Sequence, residues 1–211
     1  MIVRDIEERD LPALKLLIAE AFGEGWNLER YARNDELTQA LLGTYLSIFM
    51  EPGTFGRIAE IDGDVVGVVV CSAKGDSAKF GQLHKNIMPN SLTLLTAEES
   101  ERADIVEHIS VSFQTIMQLI ENKVDIYDGA LELIIVTERA QGRKIGKTLW
   151  NLAADYFNSQ NVKSIYLITD SRCNVGFYDY NGFSKVDAKV ATYNYTIGQK
   201  MNEIFLYDYQ F

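Results

Sequence analysis

The stretch Leu131–Trp150, LELIIVTERAQGRKIGKTLW, predicts a buried strand that turns into a helix through a loop containing glycine. Its first six residues, 131–136, are mostly apolar, include β-branched side chains and have the length of a buried strand. After a polar break, apolar residues recur at helical spacing, at Ile145, Leu149, Leu152, Ala153, Tyr156 and Phe157. Gly142 and Gly146 therefore lie where the strand gives way to the helix.

The junction at residues 141–147 has the properties of an anion-binding site. The first backbone N–H groups of a helix lack partners within the helix and lie at the positive end of its dipole. Glycine allows a phosphate to approach these groups, and Arg143, Lys144 and Lys147 add positive charge to an acidic chain. We interpret the junction as a pocket for a pyrophosphate or a similar anion. The alternative for Arg143 and Lys147 is an exposed helical face without a ligand.

The composition and net charge of the chain indicate which kinds of partner and substrate it can bind. The chain has 211 residues, of which 47% are hydrophobic, and its formal net charge is −10. This charge argues against a nucleic-acid partner, which usually binds to a basic face. It favours cationic substrates such as amines, although an acidic surface can also serve solubility alone.

Neither a membrane location nor a metal site is expected. The first residues lack the apolar core of a signal peptide, and the longest apolar run, 65–73, is far too short to span a membrane. Cys71 and Cys173 form no CxxC pair, and neither His84 nor His108 lies at ligand spacing from them. We therefore expect a cytoplasmic protein with no metal and no structural disulfide.

The order of the elements predicts one α/β domain over residues 1–211. A strand, two helices and a β-hairpin turning at Asp62-Gly63 are followed by a helical segment, 74–128. This segment begins with a loop containing Pro89, continues in a long amphipathic helix around residues 105–120, and is interpreted as an insertion between strands 3 and 4. Strand, helix, strand, short helix and two further strands complete the chain, which indicates a mixed sheet flanked by helices.

Two motifs in this setting resemble the GCN5-related N-acetyltransferase (GNAT) superfamily. The family's acyl-CoA motif, Q/R-x-x-G-x-G/A after a strand, reads here as Gln141-Gly142-Arg143-Lys144-Ile145-Gly146. The second motif, Asn174-Val175-Gly176-Phe177-Tyr178 followed by Gly182-Phe183, is similar to the family's Asn…Tyr…Gly-Phe signature. The resemblance covers the whole element order, with segment 74–128 as an addition. Lys144 departs from the pattern because it stands where the motif has its first glycine.

The resemblance implies a sheet that is splayed at its centre and acetyl-CoA as the co-substrate. The strands ending near Val136 and Thr169 would separate and admit the pantetheine arm between them. The backbone N–H of Val136 would polarise the thioester carbonyl, and residues 141–147 would bind the pyrophosphate. The residues implied to contact the cofactor are Ile135, Val136, Gln141, Gly142, Arg143, Lys144, Ile145, Gly146, Lys147 and Asn174.

Two residues are candidates for proton transfer. The resemblance implies that Tyr178 protonates the departing CoA thiolate as a general acid. Glu132 lies four residues before Val136, and strand alternation would place both on one face, so Glu132 is the candidate base, acting directly or through a water. The alternatives are a packing tyrosine, in a chain with 11 tyrosines, and a carboxylate held by a neighbour in the sheet without a catalytic part.

The sequence therefore predicts an N-acetyltransferase that moves an acetyl group from acetyl-CoA to a primary amine by direct attack. We expect a small acceptor, because no long groove for a polypeptide is visible, although polyamines, amino acids, aminoglycosides, peptide N-termini and lysine side chains all remain open. Glu24 and Trp26 offer a carboxylate beside an indole for an ammonium group, or else a loop acid and a core tryptophan.

Two other functions compete with this prediction. A catalytically silent acyl-CoA-binding sensor or interaction module has the same motifs, and the helix around 105–120 would then contact a partner or, in a homodimer, a second copy. A nucleotide-binding loop of the form G-x-x-x-x-G-K-[ST] fits poorly, because it requires glycine at position 141, where the chain has Gln141.

Overall fold

The computed structural model describes residues 1–24, 35–81, 87–121 and 123–211, and its strands form a seven-stranded sheet. The strands are β1 (Ile2–Asp5), β2 (Phe55–Ile61), β3 (Asp64–Ala73), β4 (Gly129–Val136), β5 (Ser164–Asp170), β6 (Ser184–Tyr195) and β7 (Gly198–Gln210). The helices are α1 (Leu11–Phe22), α2 (Asp35–Met50), α3 (Ile87–Leu95), α4 (Glu99–Ile120), α5 (Ile145–Ser159) and α6 (Val175–Tyr180). Trp26 and His84 lie outside the described residues.

The sheet has the order β1-β2-β3-β4-β5-β7-β6, and β4–β5 is its parallel pair. β4 and β5 pair at Gly129–Ile165 and Ala130–Tyr166, although the strands continue to Val136 and Asp170. Beyond those two pairs the ladder ends and the strands separate. The predicted mixed sheet with a splayed centre is therefore confirmed.

Helices cover both faces of the sheet. On one face, α5 packs against a cluster that includes Cys71, Leu131 and Leu167. On the other face, α1 and α2 pack against Leu133 and Ile135, and α4 extends the same layer. The side chains of β5 alternate accordingly, so that Ile165 and Leu167 face α5, whereas Tyr166 and Ile168 face α4.

Among the described residues of segment 74–128, α3, α4 and a short 3-10 helix (Val124–Ile126) lie between β3 and β4, as the predicted helical insertion requires. The expectation of a loop around Pro89 is wrong, because Pro89 lies in the first turn of α3, where a missing backbone N–H removes no helical hydrogen bond. α4 is docked on the sheet by polar contacts. The N–H of Thr196 donates to Asp104 at 2.7 Å, and the Tyr195 hydroxyl lies 2.6 Å from Nδ1 of His108.

Candidate active site

The separation of β4 from β5 opens a cleft of about 890 Å³ through the sheet. α5 and α6 line it on one face, and α1, α2 and α4 line it on the other. The cleft brings together Glu132, Tyr178 and all the residues predicted to contact the cofactor except Arg143. Arg143 is exposed and does not line the cleft.

The turn before α5 has a conformation that explains the glycine pattern of its motif. Gly142 has φ of 74° and Lys144 has φ of 61°, both in the left-handed region that glycine adopts most easily. Lys144 therefore has a backbone conformation that glycine adopts most easily, at the position where the motif has its first glycine, and its side chain is exposed at the mouth of the cleft.

The N-terminus of α5 is open to a ligand. The N–H of Thr148 donates to the carbonyl of Lys144 at 2.9 Å, so the three preceding N–H groups, of residues 145–147, come before the first helical hydrogen bond. Among the described residues, no side chain caps this end of the helix. Residues 145–147 all line the cleft, so these N–H groups can receive an anion.

Asn181 joins α5 to α6 at this mouth. Its Oδ1 accepts a hydrogen bond from Nζ of Lys147 at 2.8 Å, while its Nδ2 donates to the carbonyl of Phe177 at 2.7 Å. The Phe177 ring lies over Gly146, where an added Cβ would come within 3.1 Å of Cε2. No spacing rule in the sequence connects Asn181 with Lys147, so only the folded structure reveals this contact.

The backbone N–H of Val136 points away from β3. The N–H of Thr137 donates to the carbonyl of Val66 at 2.9 Å, and Val136 stands opposite Gly67. In an antiparallel ladder the N–H groups of successive residues point to opposite sides, so that of Val136 is directed toward the side of β5. Because β5 has already separated there, the N–H is directed into the cleft.

Glu132 lies at a β-bulge, which corrects its predicted orientation. β3 pairs Val70 with Leu133 and Cys71 with Leu131, leaving Glu132 as an extra residue of β4. The extra residue interrupts the alternation of side chains, so the expectation that Glu132 and Val136 share a face is wrong. Glu132 accepts a 2.5 Å hydrogen bond from the hydroxyl of Ser72. Ser72 follows Cys71 on β3, and because Cys71 faces α5, Ser72 faces the opposite layer of α1, α2 and α4. The Glu132 carboxylate therefore lies on that side of the sheet.

Burial makes the Glu132 carboxylate a stronger proton acceptor than an exposed carboxylate. Desolvation raises the pKa of its carboxyl above the ordinary value of 4.5, and the Ser72 hydroxyl opposes that shift. A carboxylate with a raised pKa accepts a proton more readily than an exposed one does.

Tyr178 lies on the opposite side of the sheet from Glu132, among aromatic rings. The ring centroids of Phe177, Phe183 and Tyr207 lie 5.6–5.7 Å from its own. A phenol is already protonated at neutral pH, and burial raises the pKa of Tyr178 further, so its hydroxyl is a neutral hydrogen-bond donor. The cleft therefore places a candidate acid on the α5 side and a candidate base on the α2 and α4 side.

Two polar groups of the cleft were not predicted as site residues. Burial, with the nearby Arg172 charge, lowers the pKa of His108 to about 4, so this histidine is neutral at pH 7. Burial alone would raise the pKa of Asp170, but hydrogen bonds from Arg172 at 2.7 Å and Asn202 at 2.9 Å keep it below its usual value. His108 and Asp170 are distant in sequence, and only the packing of α4 on β6 and β7 brings them into one cleft.

The raised pKa of Glu132 predicts a stability that depends on pH. The folded protein binds the Glu132 proton more tightly than the unfolded chain does, so this group lowers stability as pH rises through the interval above 4.5. Glu132→Gln removes that cost and keeps an oxygen acceptor for Ser72. We expect the variant to melt at a higher temperature than the wild type at pH 7–8, and the difference to disappear below about pH 4.5.

The measurement is the thermal unfolding midpoint of both proteins across this pH range. Glu121→Gln, an exposed position just after α4, removes the same charge and serves as the control. If the difference in unfolding midpoint between Glu132→Gln and the wild type did not change with pH, the argument that burial raises the pKa of Glu132 would be contradicted.

Comparison with known proteins identifies a family whose sequence model matches this chain, and solved structures that share its fold. The sequence model of the family described as Acetyltransferase (GNAT) domain matches residues 82–201, more than half of the chain. No curated protein matches the sequence significantly. Within the described residues, no helix combines the length and apolarity needed to cross a membrane.

Three solved structures illustrate the shared fold. The ribosomal-protein-alanine N-acetyltransferase of Brucella melitensis has 14% identity and a TM-score of 0.51, with 100% of both chains covered. The PaiA N-acetyltransferase of Thermoplasma acidophilum, solved in complex with coenzyme A, has 15% identity and a TM-score of 0.51, covering 100% of this chain and 98% of that one. A protein of Pyrococcus horikoshii has 14% identity and a TM-score of 0.58, with coverage of 100% and 98%.

Proposed function

This chain belongs to the GNAT acetyltransferase family, and from that premise we propose that it transfers the acetyl group of acetyl-CoA to a primary amine by direct attack. The observation that carries the proposal is the cleft through the sheet. An anion-binding turn lies at its α5 mouth, and a buried carboxylate faces the opposite layer. Such a passage allows a cofactor and an acceptor to approach one carbonyl carbon from two sides.

The α5 side would hold the cofactor. The N–H groups of residues 145–147 would receive the pyrophosphate, and the ammonium groups of Lys144 and Lys147 would add charge at the mouth. Asn174, at the start of α6, would contact the pantetheine amide. The fold shared with a coenzyme A complex supports this assignment.

The reaction then needs two proton transfers. The amine attacks the thioester carbonyl and gives up a proton to Glu132, directly or through a water. The carbonyl oxygen becomes an oxyanion and accepts a hydrogen bond from the N–H of Val136, which is directed into the gap. The intermediate collapses with cleavage of the carbon–sulfur bond, and the Tyr178 hydroxyl donates its proton to the thiolate and is later reprotonated by solvent.

The first test is the thermal unfolding midpoint with and without excess acetyl-CoA, with ATP as the control. A ligand at about one hundred times its Kd stabilises the folded state by about 2.7 kcal/mol. For a chain of this size, that moves the midpoint by roughly 5–10 °C. A shift with acetyl-CoA and none with ATP is the expected result, and no shift with acetyl-CoA would refute the proposed cofactor.

Release of free thiol separates the enzyme from a silent acyl-CoA-binding module. We expect thiol to appear when acetyl-CoA and an amine are both present, at a rate that depends on the amine. Binding of acetyl-CoA without thiol release across a panel of amines would favour the module.

A further inference from the structure

The face of the cleft opposite the cofactor turn has an apolar wall formed by α2 and α4. Its hydrophobic members are Tyr45, Ile48, Phe49, Ile109, Phe113, Ile116 and Ile120. Phe113 is 65% exposed and Ile48 is 54% exposed, although both line the cleft. Large apolar side chains left in contact with water beside a cavity are suited to contact an apolar ligand.

The same wall lacks charge. The described cleft-lining residues of α2 and α4 include no acidic or cationic side chain, since His108 is neutral at pH 7. Behind the wall lies Glu132, whose carboxyl is buried against Ser72. An amine that reaches Glu132 therefore leaves the rest of its own structure between two helices whose described cleft-lining side chains are uncharged.

Within the part of the chain that the structure describes, three other carboxylates line the cleft, and none of them lies on α2 or α4: Glu20, Glu138 and Asp170. Glu20 accepts a hydrogen bond from the N–H of Glu138 at 2.6 Å, beyond the end of β4. Asp170 pairs with Arg172 at 2.7 Å and also accepts a hydrogen bond from Asn202. A second ammonium on the acceptor would meet no carboxylate among the described cleft-lining residues of α2 and α4, and desolvating it there would be costly.

From these features we infer that the acceptor is a primary monoamine with an uncharged, apolar body. The body packs between α2 and α4, with Phe113 as a specificity-determining side chain, and the amine lies at Glu132. Burial of an alkyl or aryl group against this wall favours binding, whereas a distal charge opposes it. The inference rests on the proposed function, because it names the substrate class for the same cleft.

Three amines of equal chain length test the inference: hexylamine, 1,6-diaminohexane and 6-aminohexanoate. They differ at the distal end, which is apolar in the first, cationic in the second and anionic in the third. We expect kcat/KM for acetylation of hexylamine to exceed that of each of the other two by at least about tenfold, since a distal charge would lose its hydration. Equal or better use of the diamine or the amino acid would overturn the inference while leaving the acetyltransferase proposal intact.

A binding measurement keeps the two proposals separate. Calorimetric titration of the three amines into the protein saturated with coenzyme A needs no turnover. The same tenfold order is expected there, even if thiol release were absent and the proposed reaction therefore failed. Absence of hexylamine binding, or tighter binding of either charged analogue, would overturn the inference.

Phe113→Ala tests the wall itself. We expect a loss of about fivefold or more in hexylamine affinity, with little change for 6-aminohexanoate, because the ring contributes apolar contact area and no charge. Val106→Ala is the matched control, since Val106 is 55% exposed on the same helix and does not line the cleft. Both residues are exposed, so neither variant leaves a core cavity, and equal effects of the two would overturn the role of Phe113.

Discussion

Tyr178→Phe is expected to lower kcat for acetyl transfer by about a hundredfold or more while changing the Kd for acetyl-CoA less than about twofold. General acid catalysis typically contributes 10²–10⁴ in rate, and the substitution removes the proton but keeps the ring. The ring itself is held by Phe177, Phe183 and Tyr207, so the phenyl group can occupy the same position. The wild-type phenol, whose pKa burial raises above its ordinary value of 10, is protonated at neutral pH, so the substitution removes a proton that is present.

Single-turnover kinetics and equilibrium binding of acetyl-CoA together measure the two halves of this prediction. Tyr209→Phe is the control, because Tyr209 belongs to the neighbouring aromatic cluster around Trp150 and does not line the cleft. Normal turnover of Tyr178→Phe with a confirmed acceptor would show that a water or another group protonates the thiolate. A parallel loss of acetyl-CoA affinity would indicate a binding role for the hydroxyl.

Local sequence signals predicted the elements that bear the cleft. The strand, turn and helix of residues 131–150 are β4 and α5, and α6 spans Val175–Tyr180 as the motif indicated. The family resemblance added the separation of β4 from β5, which no periodicity in either strand reveals. Turn chemistry and apolar spacing are properties of neighbouring residues, so these elements could be found without the partner strands.

Features that depend on pairing could not be predicted in the same way. Between two neighbouring pairs, β3 advances by one residue whereas β4 advances by two, and this difference makes the bulge at Glu132. The sequence of β4 alone contains no sign of it. The direction of the Val136 N–H likewise follows from the bond between Thr137 and Val66. The apolar spacing of α4 predicted a helix, but not that its Phe113 would remain exposed beside a cleft.

The catalytic and cofactor-binding assignments stay predictions, and the geometry sharpens them. It separates Lys144 and Lys147, which line the cleft, from the exposed Arg143, which does not. The geometry also explains how a lysine can stand at position 144, where the motif has a glycine. A left-handed φ of 61° at Lys144 maintains the turn at a local cost of about 1 kcal/mol, and the motif's glycine avoids that cost.

Gly146→Glu is expected to weaken acetyl-CoA binding by about a hundredfold or more, the opposite pattern from Tyr178→Phe. Gly146 lies in the first turn of α5, where a pyrophosphate is proposed to approach the N–H groups. A Cβ there would already lie 3.1 Å from the Phe177 ring, so the ring must shift by a few tenths of an ångström. The carboxylate would add negative charge close to the phosphates, at a site where the helix dipole and Lys147 otherwise favour an anion.

Two further variants separate charge from bulk. Gly146→Ala introduces the same Cβ without the charge, and a loss of less than about tenfold is expected if electrostatic repulsion dominates. Asn151→Glu places the same charge on an exposed position of α5 that does not line the cleft, and its acetyl-CoA affinity should match the wild type. Calorimetric titration of acetyl-CoA into each folded variant supplies the comparison. Wild-type affinity in Gly146→Glu would mean that the phosphates bind away from the α5 N-terminus, because a carboxylate cannot share that position with them.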